Sequence, residues 1–134
     1  MSISEAYANQ HIKKWIEGWN NHDIKAVLSM YSENIEFSSP KIKIVFPYLN
    51  TSKINNRKDL EEYWSKALKN YFPRLKFTTK DVLVHNNKII LEYYAMLDDK
   101  HKTSVIEKFE INNGLITRSD VFYGAEELIE DGIT

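Results

Sequence analysis

The sequence predicts an α+β domain of three N-terminal helices and a curved antiparallel sheet. Three observations carry that prediction. Apolar residues recur at helical spacing in three stretches before Pro73, β-type alternation dominates after Leu75, and two asparagine-rich turns divide the second half into hairpins. The 134 residues suit one domain spanning 1–134, with no linker, repeat or low-complexity segment.

The first helix is predicted near residues 5–20, where Ala8, Ile12, Trp15 and Trp19 form a stripe and Ser4 is placed to cap the free N–H groups of the first turn. "NNHD" breaks it, and Asp23 can cap a second helix whose stripe is Ile24, Val27, Leu28 and Tyr31. "NIEFSSP" reads as a short strand with Ile35 and Phe37 on one face. "KIKIVFPYLNTSKI" alternates Lys with apolar residues around Pro47, which suits an edge strand or flap, since proline cannot donate to a ladder. "NNRKDLEEYWSKALKNYF" is the third helix, with Leu60, Trp64, Ala67 and Tyr71 on one side and Pro73 closing it. "KFTTKDVLVH" and "KIILEYYAML" flank Asn86-Asn87, and "KTSVIEKFEI" and "LITRSDVFYG" flank Asn112-Asn113-Gly114. The tail "AEELIEDGIT" suits a turn of helix or a segment lying over a neighbour.

Composition narrows the function. A net charge of -1 without a basic run disfavours nucleic acid as a partner. The absence of cysteine removes disulfides, thiolate nucleophiles and zinc-thiolate sites. No apolar run reaches bilayer-spanning length and "MSISEAYANQ" is unlike a signal peptide, so a cytoplasmic protein without membrane partners is the expectation. His11, His22, His85 and His101 fall on a helix surface, a turn, a hairpin end and a loop, without the spacing of a metal site. No glycine-rich phosphate loop or nucleophile elbow occurs, and no cofactor is expected.

The element order resembles the nuclear transport factor 2-like superfamily, in particular its SnoaL-like members. The matching pieces are "WIEGWNNHDIKAVLSMYSENIEFSSP", "INNRKDLEEYWSKAL", "FPRLKF" and "FEINNGLITRSDVFYG". The resemblance implies a sheet that wraps the first helix around a deep apolar cavity open at one end, with dimerisation through the outer sheet face. It also places Asn56 where relatives often carry a glycine in left-handed backbone. The fold is a poor guide to function, since it hosts isomerases, cyclases, hydrolases, dehydratases and binding modules. In the ketosteroid-isomerase branch a carboxylate base precedes the proline, and here that position is Ser39. Its oxyanion tyrosine is replaced by Trp15 and its acidic partner falls at Val105. A serine without an activating base is a poor proton acceptor, and an indole cannot relay a proton, so that isomerase mechanism is disfavoured. Ser39 is better read as a strand end bonded to backbone, at the rim or wall of the ligand pocket.

Glu107 is the stronger candidate. Alternation in "SVIEKFEI" puts Val105, Glu107, Phe109 and Ile111 on one face, three of them apolar, so the carboxyl points inward. Desolvation raises the pKa of such a group and suits it to acid or base work; a structural glutamate bonded to a buried Tyr or Trp is the competing reading. Trp15, Trp19, Tyr31, Tyr63, Trp64, Tyr93 and Tyr123 are candidates for the cavity wall, with Trp15, Tyr31 and Trp64 converging. Leu91 shares the face of Tyr93, and Ser119 and Val121 share that of Tyr123, while Arg118 and Asp120 point outward. Core packing explains any one of these aromatics; together they suit a small ring-shaped or amphipathic organic ligand. The expectation is a SnoaL-like homodimer binding such a molecule, with Glu107 as acid or base if it is an enzyme. The alternative is a non-catalytic ligand-binding or protein-interaction module.

Overall fold

The computed structural model describes residues 2–129. Helix α1 (Glu5–Asn20) starts where Ser4, in extended backbone, accepts from the Tyr7 N–H at 3.0 Å. Its stripe of Ala8, Ile12, Trp15 and Trp19 is buried. His11 is buried as well, contrary to the surface position expected of it, because it lies one turn before Trp15 and faces the Phe109 ring. His22 then takes a left-handed φ of 53°, and Asp23 caps α2 (Ile24–Leu28) by accepting from the Ala26 N–H at 3.1 Å.

The two helices meet at Gly18. A Cβ there would lie 2.7 Å from Val27 Cγ2, closer than two carbons approach. Overpacking of this kind costs about 1–3 kcal/mol. Gly18→Ala is therefore expected to destabilise the fold by that amount, read as a lower urea midpoint at unchanged slope.

The apolar stripe predicts a second helix reaching Tyr31, but the helix stops at Leu28 and Tyr31 opens strand β1 (Tyr31–Ser38). The Met30 carbonyl is already claimed by the Ile116 N–H at 2.8 Å, so the backbone there belongs to the sheet. "KIKIVFPYLNTSKI" also departs from its expected strand or flap. Ile42–Val45 form the short helix α3, burying Ile42 and Val45 and exposing Ile44; residues three apart share one face of a helix but lie on opposite faces of a strand, so the helix lets both be buried together. Only Lys53–Ile54 pair, as the edge strand β2 against β1.

Helix α4 (Arg57–Asn70) is capped by Asn56, whose side chain accepts from the Asp59 N–H at 2.8 Å. Asn56 is extended (φ -155°), so the left-handed backbone expected there is absent and the capping amide is its role. The buried face of α4 is Leu60, Tyr63, Trp64 and Leu68. Tyr71 lies beyond the last helical turn and is exposed, correcting its place on that face.

Strands β3 (Lys76–His85), β4 (Lys88–Met96), β5 (His101–Asn112) and β6 (Leu115–Leu128) complete the fold. The two hairpins turn at Asn86 (φ 56°) and at Asn113-Gly114 (φ 52° and 78°), as their sequences predict. His101 opens β5 rather than lying in a loop. Residues 125–128 of the tail extend β6 instead of forming helix, since Thr103↔Glu126 and His101↔Leu128 continue the ladder; residues 130–134 lie outside the described part.

The sheet order is β2-β1-β6-β5-β4-β3. It is curved and unclosed. It is not wholly antiparallel, because β1 and β6 run parallel, which requires the long crossover through everything between them. Helix α1 packs on β3 and α4 on β1, leaving the core between helices and sheet.

Candidate functional site

The inner sheet face is set by alternation. On β5, Thr103, Val105, Glu107, Phe109 and Ile111 are all buried; on β4, Ile89, Leu91, Tyr93 and Ala95 are. Pairing places Leu91 and Val121 on either side of Glu107. Glu107 is 3% exposed. The Tyr93 hydroxyl donates to Oε1 at 2.8 Å and the Ser119 hydroxyl donates to Oε2 at 2.8 Å. Burial pushes its pKa up to about 7; the bonds from Ser119 and Tyr93 oppose the rise and the charge of Asp120 adds to it. A carboxyl near 7 gives and takes protons with similar ease at neutral pH. Each oxygen keeps a further lone pair for a bound molecule.

Around it stands an aromatic shell. The Trp15 indole N–H donates to the Tyr31 hydroxyl at 2.9 Å, and Tyr31 meets Trp64 edge-on with centroids 5.1 Å apart, so the expected convergence of these three is present. Trp19 joins them at 4.8 Å from Trp64, and Phe77 stacks on Trp15 at 5.4 Å. Burial drives the Tyr31 and Tyr93 hydroxyls well above their usual range, and raises Tyr123. Tyr63 is pushed up to about 12 by the same cause, opposed by Ser39. These phenols stay protonated and act as hydrogen-bond groups rather than bases.

A cavity of about 70 Å³ lies among these groups. Trp15, Trp19, Ser39, Tyr63, Trp64, Tyr93, Glu107, Val121 and Tyr123 line it. Tyr31, Leu91, Val105 and Ser119 do not reach it and form the layer behind. Pockets for drug-sized ligands run roughly 300–1,000 Å³, so this space is small; Trp15, Phe77 and Trp64 fill much of what an open cone would leave. Ser39 is buried, accepts from the Lys41 N–H at 3.3 Å and donates its own N–H to the Ser52 carbonyl at 3.0 Å, which fits the strand-end role. Arg118 and Asp120 pair on the outer face at 3.1 Å. Among the described residues no His, Asp and Glu cluster is arranged to hold a metal. Among the described residues no helix is long and apolar enough to cross a membrane.

Lys41 also lines the cavity and was not among the sequence candidates. Its ammonium lies 4.7 Å from the centroid of Tyr123 and 5.0 Å from that of Phe72. The signal was hidden because "PKIKIV" reads as a strand, which gives no reason to aim Lys41 at a cavity.

Comparison with known proteins bears on the fold. A solved SnoaL-like protein of unknown function from Burkholderia thailandensis is 25% identical, superimposes with a TM-score of 0.83, and is matched over 93% of this chain and 100% of that one. A nuclear transport factor 2-like protein of unknown function from Cytophaga hutchinsonii gives 14% identity and a TM-score of 0.68 over 92% and 93% of the two chains. An LEH-like epoxide hydrolase of M. tuberculosis gives 13% and 0.63 over 89% and 84%. No curated protein matches. The SnoaL-like domain is matched over residues 12–119, and with the cone of helices and curved sheet this places the chain in the SnoaL-like family of the nuclear transport factor 2-like superfamily.

Proposed function

We propose that the chain binds a small apolar or aromatic organic molecule in the cavity beside Glu107 and acts on it without a cofactor, as an isomerase, cyclase or hydrolase/dehydratase with Glu107 as acid or base. The carrying observation is a buried carboxyl, poised near neutrality, in the wall of an aromatic-lined space. The small volume limits the ligand to about a single ring or a short branched chain. The reading includes a cytoplasmic homodimer through the outer sheet face. Ile106 and Phe122, partners across β5 and β6, are 43% and 57% exposed there, and apolar pairs of that size favour a covering surface.

Native mass spectrometry of the purified protein tests binding: a dimer carrying a small co-purified mass is the expected result. Glu107→Gln then separates catalysis from structure. Retained binding with turnover of that molecule lowered about 10²-fold or more supports general acid–base action. A drop in thermal stability with turnover unchanged removes Glu107 from the chemistry.

A second reading is a non-catalytic module. It is supported by the small cavity and by the fact that both Glu107 oxygens already accept hydrogen bonds from protein hydroxyls. An empty species that captures a protein partner favours it.

A further inference from the structure

The geometry points to a small organic anion as the ligand of this cavity, a single-ring or short-chain carboxylate held by Lys41. The inference rests on the cavity being a binding site and adds the chemical class of what enters it.

Two side chains that line the cavity carry donors with no protein acceptor among the described residues. The first is the Lys41 ammonium, half-buried against the Phe72 and Tyr123 rings. Glu126 is the acid whose field reaches it, yet among the described residues no carboxylate forms an ion pair with it. The second is Trp19, whose ring lines the same cavity and whose buried Nε1–H has no hydrogen-bond partner among the described residues. An unpaired buried donor is costly, so an acceptor brought within its reach recovers free energy. The half-buried ammonium and the unpartnered indole, on side chains that line one largely apolar space, favour a ligand with an acceptor-rich, negatively charged group and an apolar body.

Lys41 is also held in place. Pro40 limits the backbone before it, the Ser39 hydroxyl accepts from its N–H, and its carbonyl accepts from the Ile44 and Val45 N–H groups at 3.0 and 3.2 Å. The remaining freedom is in the side chain, which two aromatic faces restrict. A positive charge kept at the edge of a partly enclosed, aromatic-lined space binds an anion more strongly than a fully solvated surface lysine does, because less of the attraction is screened.

The test is calorimetric titration with two isosteric pairs, benzoate against benzamide and isovalerate against isovaleramide, using the wild-type protein, Lys41→Met and Lys41→Arg. Expected is a preference for the carboxylate of at least one pair by about tenfold or more in the wild type, partial retention in Lys41→Arg, loss in Lys41→Met, and weakening with added salt. Equal binding of acid and amide by the wild type overturns the assignment while leaving the cavity as a binding site. An undiminished preference in folded Lys41→Met overturns Lys41 as the anion's partner. Binding of neither pair overturns both the anion and the cavity reading. The wild-type comparison needs no variant, so a poorly folding Lys41→Met still leaves a decisive result.

Discussion

Trp15→Ala is expected to lower the free energy of unfolding by about 4 kcal/mol, a large share of the roughly 5–15 kcal/mol that holds a domain of this size together. Trp15 is 1% exposed and touches Trp19, Phe77, Tyr93 and Phe109, with ring centroids 5.3–6.2 Å apart. Truncation opens a void bounded by α1 and three strands, and stiff aromatic neighbours collapse into it poorly. It also leaves the buried Tyr31 hydroxyl without the indole N–H. Trp15→Phe separates the two effects: it keeps most of the ring packing and loses the hydrogen bond, so a cost of about 1–3 kcal/mol is expected. Urea unfolding at neutral pH measures both. A cost for Trp15→Ala no larger than that for Trp15→Phe contradicts the packing account.

The second large effect is concealed in the wild type. Glu107 has its pKa raised from 4.5 to about 7 in the folded chain, and His11 has its pKa lowered from 6.5 to about 4 by burial, with Lys14 adding to the fall. Between about 4.5 and 7 the native Glu107 holds a proton the unfolded chain has released, so its contribution to stability is complete at low pH and lost as pH rises. Between about 4 and 6.5 the unfolded His11 holds a proton the native ring refuses, so its contribution is complete above that range and lost as pH falls. Each amounts to about 3 kcal/mol across its range, with opposite sign. The wild type is therefore expected to show a nearly flat stability profile over this interval as far as these two groups are concerned. Glu107→Gln should gain stability from pH 4 to 6.5, as His11 of the unfolded chain loses the proton that the native ring never takes up. His11→Phe should lose stability from pH 4.5 to 7, where Glu107 is ionised in the unfolded chain while the native carboxyl keeps its proton. Three parallel profiles contradict the compensation.

Much of this was legible in the residues, and the limits have physical causes. Ser4, Asp23, Asn86 and Asn113-Gly114 act through local backbone chemistry, so their caps and turns follow from the chain itself. Glu107 was visible because strict alternation on β5 leaves one ionisable group among apolar ones. Tyr31 was misplaced because its partner in the ladder is Ile116, a pairing no local pattern encodes. Lys41 was missed because α3 owes its form to the packing of Ile42 and Val45, which tertiary contact decides. The burial of His11 was missed for the same reason, since Phe109 reaches it from the opposite end of the sequence.

The parallel pairing of β1 with β6 has a consequence for how the chain is made. Ser38 and Asp120, joined by a 2.6 Å hydrogen bond, are 82 residues apart. At a synthesis rate of about 5–20 residues per second, the ribosome completes β1 several seconds before its central neighbour exists. For the first part of that interval the tryptophan-bearing stripe of α1 also has no sheet to cover it, since β3, on which it packs, begins at Lys76. The pairing of β1 with β6 waits for the last strand, so the sheet's middle is the part of the fold completed last.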